Sequence, residues 1–207
     1  MLIKMVKKRT FLILSSLIIL LIVYLFPTKK DDKTYIQNEN TDFSIVYLID
    51  QNNLLSRVSV VTKNTNIDNQ IKEITEYLTY GSNKKDYLSD GFKPVIPKGT
   101  KLLYFKIDDD LLTLNFSKKL LTITEEEEKK LISSLVYTYT SIDGINKITI
   151  YVEGNLLDRL PNSNEKIPQI IDKSYGINQI YNITDINGTT KTTIYYLSKY
   201  KDYYYYV

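Results

Sequence analysis

The fold is decided by residues 111–152, LLTLNFSKKLLTITEEEEKKLISSLVYTYTSIDGINKITIYV. The stretch opens with Leu111 to Phe116 and closes with Lys147 to Val152, and both ends have the β-branched, apolar character typical of strands. Between them Thr124 precedes four glutamates, and Thr124 with Glu127 fits a capping box at a helix start. The apolar positions that follow have helical spacing: Ile132, Leu135, Val136 and Tyr139. The stretch therefore predicts a strand, a helix and a second strand.

The residues before this stretch predict a hairpin and a first helix. Ser44 to Ile49 and Leu54 to Val61 are strand-like runs separated by the turn-forming residues 50–53. The next apolar residues, at helical spacing, are Ile67, Ile71, Ile74 and Leu78. Asn66 or Asp68 can cap this helix, and Gly81 can end it.

The complete order of predicted elements is β-β-α-β-β-α-β within residues 44–157. Leu102 to Ile107 supplies the remaining strand, which joins Leu111 to Phe116 across an acidic turn. This order predicts an α+β fold with a small antiparallel or mixed sheet and both helices on one of its faces.

The composition excludes much of the common catalytic chemistry. The 207 residues are 43% hydrophobic, which is enough for a core, and include no Cys, His or Trp. A Cys/His zinc site, a thiol nucleophile, a His-based triad and disulfides are thereby excluded. We predict no catalytic residue, no cofactor-binding residue and no metal ligand, and we expect that the protein is not an enzyme.

The N-terminal segment, residues 1–26, has the pattern of a membrane anchor. Residues 11–26 are uncharged and largely Leu, Ile, Val and Phe, long enough to insert if flanking bases reach the lipid headgroups. The first thirty residues contain no acid and six bases: Lys4, Lys7, Lys8, Arg9, Lys29 and Lys30. The basic tip predicts a cytoplasmic N-terminus, a single-pass anchor in the cell membrane and an extracytoplasmic domain. A cleaved signal peptide is the alternative, although no small-residue cleavage site follows Phe26.

The charge that remains after the anchor is slightly acidic, although the whole chain carries +3. Nucleic acid is therefore not an expected partner. Residues 27–43 are polar and predict a tether, and residues 158–190, punctuated by Pro and Gly, predict a linker. Residues 193–207 align without gaps to residues 44–58, which predicts that residues 191–207 begin a truncated second repeat.

Four ordered segments resemble the GerMN domain of GerM-like sporulation and spore-germination proteins. They are Val95 to Thr100 (VIPKGT), Leu111 to Ser117 (LLTLNFS), Leu135 to Thr140 (LVYTYT) and Ile148 to Gly154 (ITIYVEG). The resemblance implies an extracytoplasmic, membrane-attached bacterial protein with tandem domains, a fold similar to ring-building modules and a scaffolding role. Family members are usually lipoproteins, and because this chain has no Cys to acylate, its predicted anchor would replace the lipid.

Two acidic clusters have structural explanations that we prefer to functional ones. Asp108-Asp109-Asp110 could ligate Ca²⁺, but a turn between two strands accounts for it. Glu125 to Glu128 could supply carboxylates for glycan hydrolysis, but successive helical residues diverge, and a helix start favours acidic side chains.

The function that we predict is a non-enzymatic scaffold or interaction module for envelope or sporulation-complex proteins. The alternative is a cell-wall protein that binds peptidoglycan through the tyrosine-rich segment Tyr195 to Val207, since aromatic rings can stack on sugars. A structural explanation for the same tyrosines is a hairpin strand, where Tyr is favoured. An envelope hydrolase is a third hypothesis, and we expect no turnover.

Overall fold

The structure is a computed structural model that describes residues 42–63, 66–179, 194–201 and 203–207, together with Ser16. The described residues from 42 to 207 form one compact unit. The predicted anchor at residues 1–26 lies outside the described residues apart from Ser16, as does the predicted tether up to residue 41. In the part of the chain that the structure describes, no helix combines the length and apolar character needed to cross a bilayer.

The predicted hairpin is present and forms a sheet of its own. Strand β1 (Asp42–Ile49) pairs antiparallel with strand β2 (Leu55–Thr62). Strand β1 begins two residues inside the predicted tether. On the core side of β1, Val46 and Leu48 are fully buried, and the buried Ser44 hydroxyl is hydrogen-bonded to Thr62 at 2.8 Å.

A second, four-stranded sheet follows in the order β3-β4-β5-β6. Its strands are β3 (Leu102–Asp108), β4 (Leu111–Phe116), β5 (Lys147–Val152) and β6 (Asn155–Leu156). The sheet is mixed, because β4 and β5 run parallel while the other two pairs are antiparallel. Between β4 and β5 the chain crosses over through a helix and returns to the end of the sheet at which β4 began. The two strands can therefore run in the same direction.

The two predicted helices are α1 (Ile67–Leu78) and α2 (Glu125–Tyr139). Helix α1 packs on the β1–β2 hairpin, whereas α2 contacts both β1 and β5. The prediction of one sheet with both helices on a single face is therefore wrong in detail: a second sheet exists, and α2 contacts strands of both. The buried stripe predicted for α2 is confirmed, since its four members are 0% exposed.

The predicted helix caps differ in outcome. Asn66 caps α1, because its Oδ1 accepts a hydrogen bond from the backbone N–H of Asn69 at 2.8 Å. Thr124 precedes α2 as predicted, but its hydroxyl donates to the Glu127 carboxylate at 3.0 Å and accepts no backbone N–H. The capping-box prediction is therefore wrong in its hydrogen bonding, although the helix begins where the sequence indicates.

The segment predicted as a linker, residues 158–190, packs against the domain over residues 158–179. Leu160, Ile167 and Ile171 are each 2% exposed and belong to the same core as the sheets and helices. Ile171 also exchanges backbone hydrogen bonds with Ile148 of β5, at 2.8 and 2.9 Å. Pro161 and Pro168 interrupt the segment next to these apolar residues, which explains why the sequence indicated only a linker. Residues 180–190 lie outside the described residues.

The C-terminal residues form a third antiparallel pair, β7 (Leu197–Tyr200) with β8 (Tyr203–Tyr206). The pair closes with two residues between Tyr200 and Tyr203, whereas β1–β2 closes with residues 50–54 between its last paired residues. The two hairpins therefore have different registers, and the gapless alignment of residues 193–207 to 44–58 is not reproduced in the strand pairing.

Candidate functional site

The acidic turn between β3 and β4 is tied to the start of β5. The Asp110 carboxylate accepts hydrogen bonds from Lys147 Nζ and Asn146 Nδ2, both at 3.3 Å. These two donors hold the pKa of Asp110 below its usual range. Among the described residues, no three acidic side chains are grouped as a metal ion would require. The position of Asp110 is explained by the fold.

The first three glutamates of α2 are exposed and point apart. Glu126 accepts a hydrogen bond from Asn53 Nδ2 at 2.6 Å, and Glu127 accepts the one from Thr124. The helix start favours negative charge here, as the sequence predicted. The structure does not bring these carboxylates together across a cleft, as glycoside cleavage would require.

Glu128 is buried, and sequence reasoning missed its role. The residue is 1% exposed and receives hydrogen bonds from the loop at Asn162 and Ser163. The backbone N–H of Asn162 donates to Oε1, the Asn162 side-chain amide donates to the same atom at 2.8 Å, and the Ser163 N–H donates to Oε2 at 3.1 Å. Burial raises the pKa of Glu128, but these hydrogen bonds outweigh it, and the pKa lies below its ordinary value.

Asp50 is the second buried carboxylate, and it organises the β1–β2 turn. The residue is 2% exposed, and its Oδ1 accepts the backbone N–H groups of Asn52 and Leu54 at 2.9 and 3.0 Å. Its Oδ2 accepts a hydrogen bond from the hydroxyl of Tyr205 on β8 at 3.0 Å. Asp50 therefore connects the β1–β2 turn to the C-terminal hairpin.

Further contacts dock the C-terminal hairpin on the domain. The Tyr205 ring meets Phe92 edge to face, with centroids 5.0 Å apart. Gly91 lies under the Tyr200 ring so closely that an added Cβ would stand 2.8 Å from it. At the turn, Lys201 forms an ion pair with Asp90 at 3.2 Å. One side of this hairpin is thus part of the folded unit.

The other side of the hairpin and the two residues just before β7 are exposed, and we call this tyrosine-rich surface the hairpin aromatic face. Its members are Leu197, Tyr204 and Tyr206 on that side, with Tyr195 and Tyr196 just before β7, and all five are 56–69% exposed. Lys199 lies on the same side as Tyr204, and its ammonium group is 5.4 Å from the centroid of that ring. Contiguous exposed apolar surface is a common mark of a contact site for another macromolecule. The tyrosine-rich segment is therefore divided between a docked side and an exposed side, which the sequence alone could not show.

A small cleft lies beside the β1–β2 turn. Its volume is about 190 Å³, below the roughly 300–1,000 Å³ usual for small-molecule sites. It is lined by Ile49, Asp50, Gln51, Asn53, Tyr80, Lys93, Pro94 and Glu127. The cleft can accept a side chain of a partner more readily than a complete small-molecule ligand.

Comparisons with known proteins agree with the fold and with the sequence resemblance. Residues 45–158 match the family described as Germane: sporulation and spore germination. The chain is 27% identical over 180 residues to the spore germination protein GerM of Bacillus subtilis (strain 168), and the aligned region covers 86% of this chain. The tandem GerMN domains of the Bacillus subtilis sporulation protein GerM superpose with a TM-score of 0.75 at 27% identity, covering 81% of this chain and 59% of that one.

A second solved structure supports the fold alone. The first GerMN domain of the Bacillus subtilis sporulation protein GerM superposes with a TM-score of 0.58 at 24% identity, covering 65% of this chain and 99% of that domain. The chain spans 49% of the length of the curated relative that it matches.

Proposed function

Because the chain belongs to the Germane family of sporulation and spore germination proteins, we propose that it is a non-enzymatic interaction module of the cell envelope. In this proposal residues 1–26 anchor the chain in the cell membrane with the N-terminus in the cytoplasm. The folded unit lies outside the membrane and docks with envelope or sporulation-complex proteins.

The observation that carries the proposal is the hairpin aromatic face. Its side chains are exposed, while the opposite side of the same hairpin is fixed to the domain by Asp50 and Phe92. A rigidly held aromatic surface loses little conformational freedom when a partner binds, and Tyr is favoured at protein interfaces for this reason.

The use of the buried carboxylates also supports a non-enzymatic role. Asp50 and Glu128 each accept two backbone N–H groups, which fixes the carboxylates in turns and loops. A general acid or base must instead reach a substrate proton and have a pKa near the working pH. The pKa of Glu128 is shifted away from neutrality, because hydrogen bonds from Asn162 and Ser163 overcome the effect of burial.

The location can be tested by cysteine labelling, because the natural chain contains no Cys. A full-length chain with Lys72→Cys, at an exposed position of α1, should react in intact protoplasts with a maleimide that cannot cross the membrane. The matched chain with Lys7→Cys should react only after lysis. The opposite pattern would refute the proposed orientation.

The partner can be tested by photo-crosslinking in cells that form spores. A photoreactive amino acid at Tyr196 or Tyr204 should give adducts with envelope proteins, whereas the same group at Lys72 should give few. If the three positions give the same adducts, the hairpin aromatic face is not the docking surface.

Peptidoglycan binding is the competing hypothesis. The structure identifies the exposed tyrosines whose replacement tests it. The double substitution Tyr204→Ser and Tyr206→Ser removes exposed rings while leaving the docked Tyr205 in place. We expect the natural chain not to sediment with purified peptidoglycan. Sedimentation that the double substitution abolishes would replace the protein-docking proposal with glycan binding.

A further inference from the structure

Strand β3 is the outer strand of the four-stranded sheet. On the opposite side of the sheet, the edge of β5 is closed by β6 and by the backbone hydrogen bonds to Ile171. Among the described residues, no strand pairs with the outer edge of β3. Leu103 and Tyr104 on this strand are 48% and 52% exposed. An edge of this kind presents backbone N–H and C=O groups that can pair with another strand.

The charges along β3 are separated by sign. Lys98 and Lys101 precede the strand, and Asp108 and Asp109 lie at its other end, with the Asp108 side chain 73% exposed. Lys106 lies between them and contacts Asp108 at 3.5 Å, with its own side chain 58% exposed. A strand that is basic at one end and acidic at the other is complementary to an antiparallel copy of itself.

We propose that two copies of this chain associate through antiparallel pairing of their β3 strands. This inference rests on the proposed interaction role and names one partner, a second copy. The register that brings the basic end of each strand to the acidic end of the other is centred on Phe105, the middle residue of Leu102–Asp108. A bulge between Leu102 and Tyr104 leaves Tyr104–Asp108 as the regular part of the strand. This register pairs Leu102 with Asp108 of the second copy, so that Lys101 lies near the Asp109 turn at both ends of the two-fold symmetric pair.

The central residues favour the same register. Pairing about Phe105 places Tyr104 opposite Lys106 of the second copy, where the ammonium group can contact the aromatic ring. A register centred one residue later would place Lys106 opposite Lys106 of the second copy, and like charges directly opposite are destabilising. Lysine on an edge strand usually discourages pairing, but here the centred register gives Lys106 a favourable partner.

The register can be tested by disulfide crosslinking in cell membranes that contain the full-length chain. Cells that express one chain with Tyr104→Cys and another with Lys106→Cys should give a covalent heterodimer on mild oxidation. The matched control combines Tyr104→Cys with Lys72→Cys, which lies on α1 away from the edge. Equal heterodimer yields in the two combinations would overturn the inference.

The charge argument has its own test. Lys101→Asp or Asp109→Lys alone should reduce dimer formation roughly tenfold, since each brings like charges close together at both ends of the interface, and the two changes together should restore it. Lys72→Asp, with the same change of charge elsewhere, should have no effect. Unchanged melting temperatures would show that the variants are folded, and a double variant no better than either single variant would overturn the inference.

The failure of this inference is distinguishable from the failure of the proposed function. Loss of the β3 crosslink with retention of adducts from Tyr196 would remove self-association and leave the docking role. Loss of the Tyr196 adducts with retention of the β3 crosslink would remove the docking role and leave self-association.

Discussion

Glu128→Gln should destabilise the domain although it changes little in size. In the natural protein, Oε1 of Glu128 accepts two N–H groups of Asn162, and Oε2 accepts the N–H of Ser163. Glutamine can keep one oxygen toward Asn162, but its amide nitrogen is a donor and would face the donor of Ser163. One charge-assisted hydrogen bond is lost and two are weakened. Since a hydrogen bond to a charged group contributes about 1.5–3 kcal/mol, we expect a loss of about that size.

The free energy of unfolding, measured by urea titration at pH 7, gives the comparison. The matched control is Glu127→Gln, the same chemical change on an exposed neighbour, for which we expect a change within about 0.5 kcal/mol. If Glu128→Gln is as stable as this control, the buried carboxylate does not hold the loop at Asn162 and Ser163, and the reasoning fails.

The same pair of proteins gives a pH dependence with a definite sign. The pKa of Glu128 is lowered in the folded state by hydrogen bonds that outweigh burial. The carboxylate therefore contributes its stability above the unfolded-state pKa of about 4.3, and the contribution is lost as the pH falls through the lower folded-state value. The difference in stability between the natural chain and Glu128→Gln should be constant near neutrality and shrink below about pH 4.

Three further changes test the packing of the domain. Leu135→Ala should lower the free energy of unfolding by about 2–5 kcal/mol, because the side chain is 0% exposed in the core; a urea midpoint that does not move would contradict this. Thr124→Ala should change it by less than about 0.5 kcal/mol, since the hydroxyl accepts no backbone N–H, and a loss above about 1 kcal/mol would indicate a cap that the structure lacks. Gly91→Ala should displace Tyr200 and expose Lys201 to trypsin sooner than in the natural chain; unchanged digestion would show that the hairpin does not need this close contact.

The elements that the sequence predicts well are those whose signal is local. The periodicity of residues 131–139 marks the buried side of α2 because each turn of a helix repeats after 3.6 residues. Strand β5 was predicted with its observed bounds, Lys147–Val152, for a similar reason: its β-branched run begins and ends within six residues.

The features that were missed depend on residues far apart in the chain. Ser134 Oγ of α2 donates to the backbone carbonyl of Tyr47 at 2.5 Å, and Thr138 Oγ1 accepts the Tyr47 N–H at 2.9 Å. These contacts attach α2 to β1, and no periodicity in the sequence predicts them. Glu128 likewise meets a loop 34 residues away and differs from Glu127 only through its position on the helix. Small polar residues and acids in a helix indicate solvent exposure by default, and only tertiary packing overrides it.

The parallel arrangement of β4 and β5 could be predicted from the sequence. Helix α2 has 15 residues and lies between the two strands, which is the ordinary connection of parallel strands. The division into two sheets could not be predicted from the sequence, because it depends on the tertiary packing of α2.

The proposed role of the chain is to act in spore germination by docking and not by a reaction. Its most direct test is the germination of spores from cells whose only copy carries Tyr196→Ser with Tyr204→Ser, or carries Glu127→Gln, the exposed acid that lines the cleft. We predict that the Glu127→Gln spores germinate like the parent, and that the tyrosine variant, present at normal levels, germinates like a strain that lacks the protein. Germination abolished by Glu127→Gln and unaffected by the tyrosine substitutions would contradict the account.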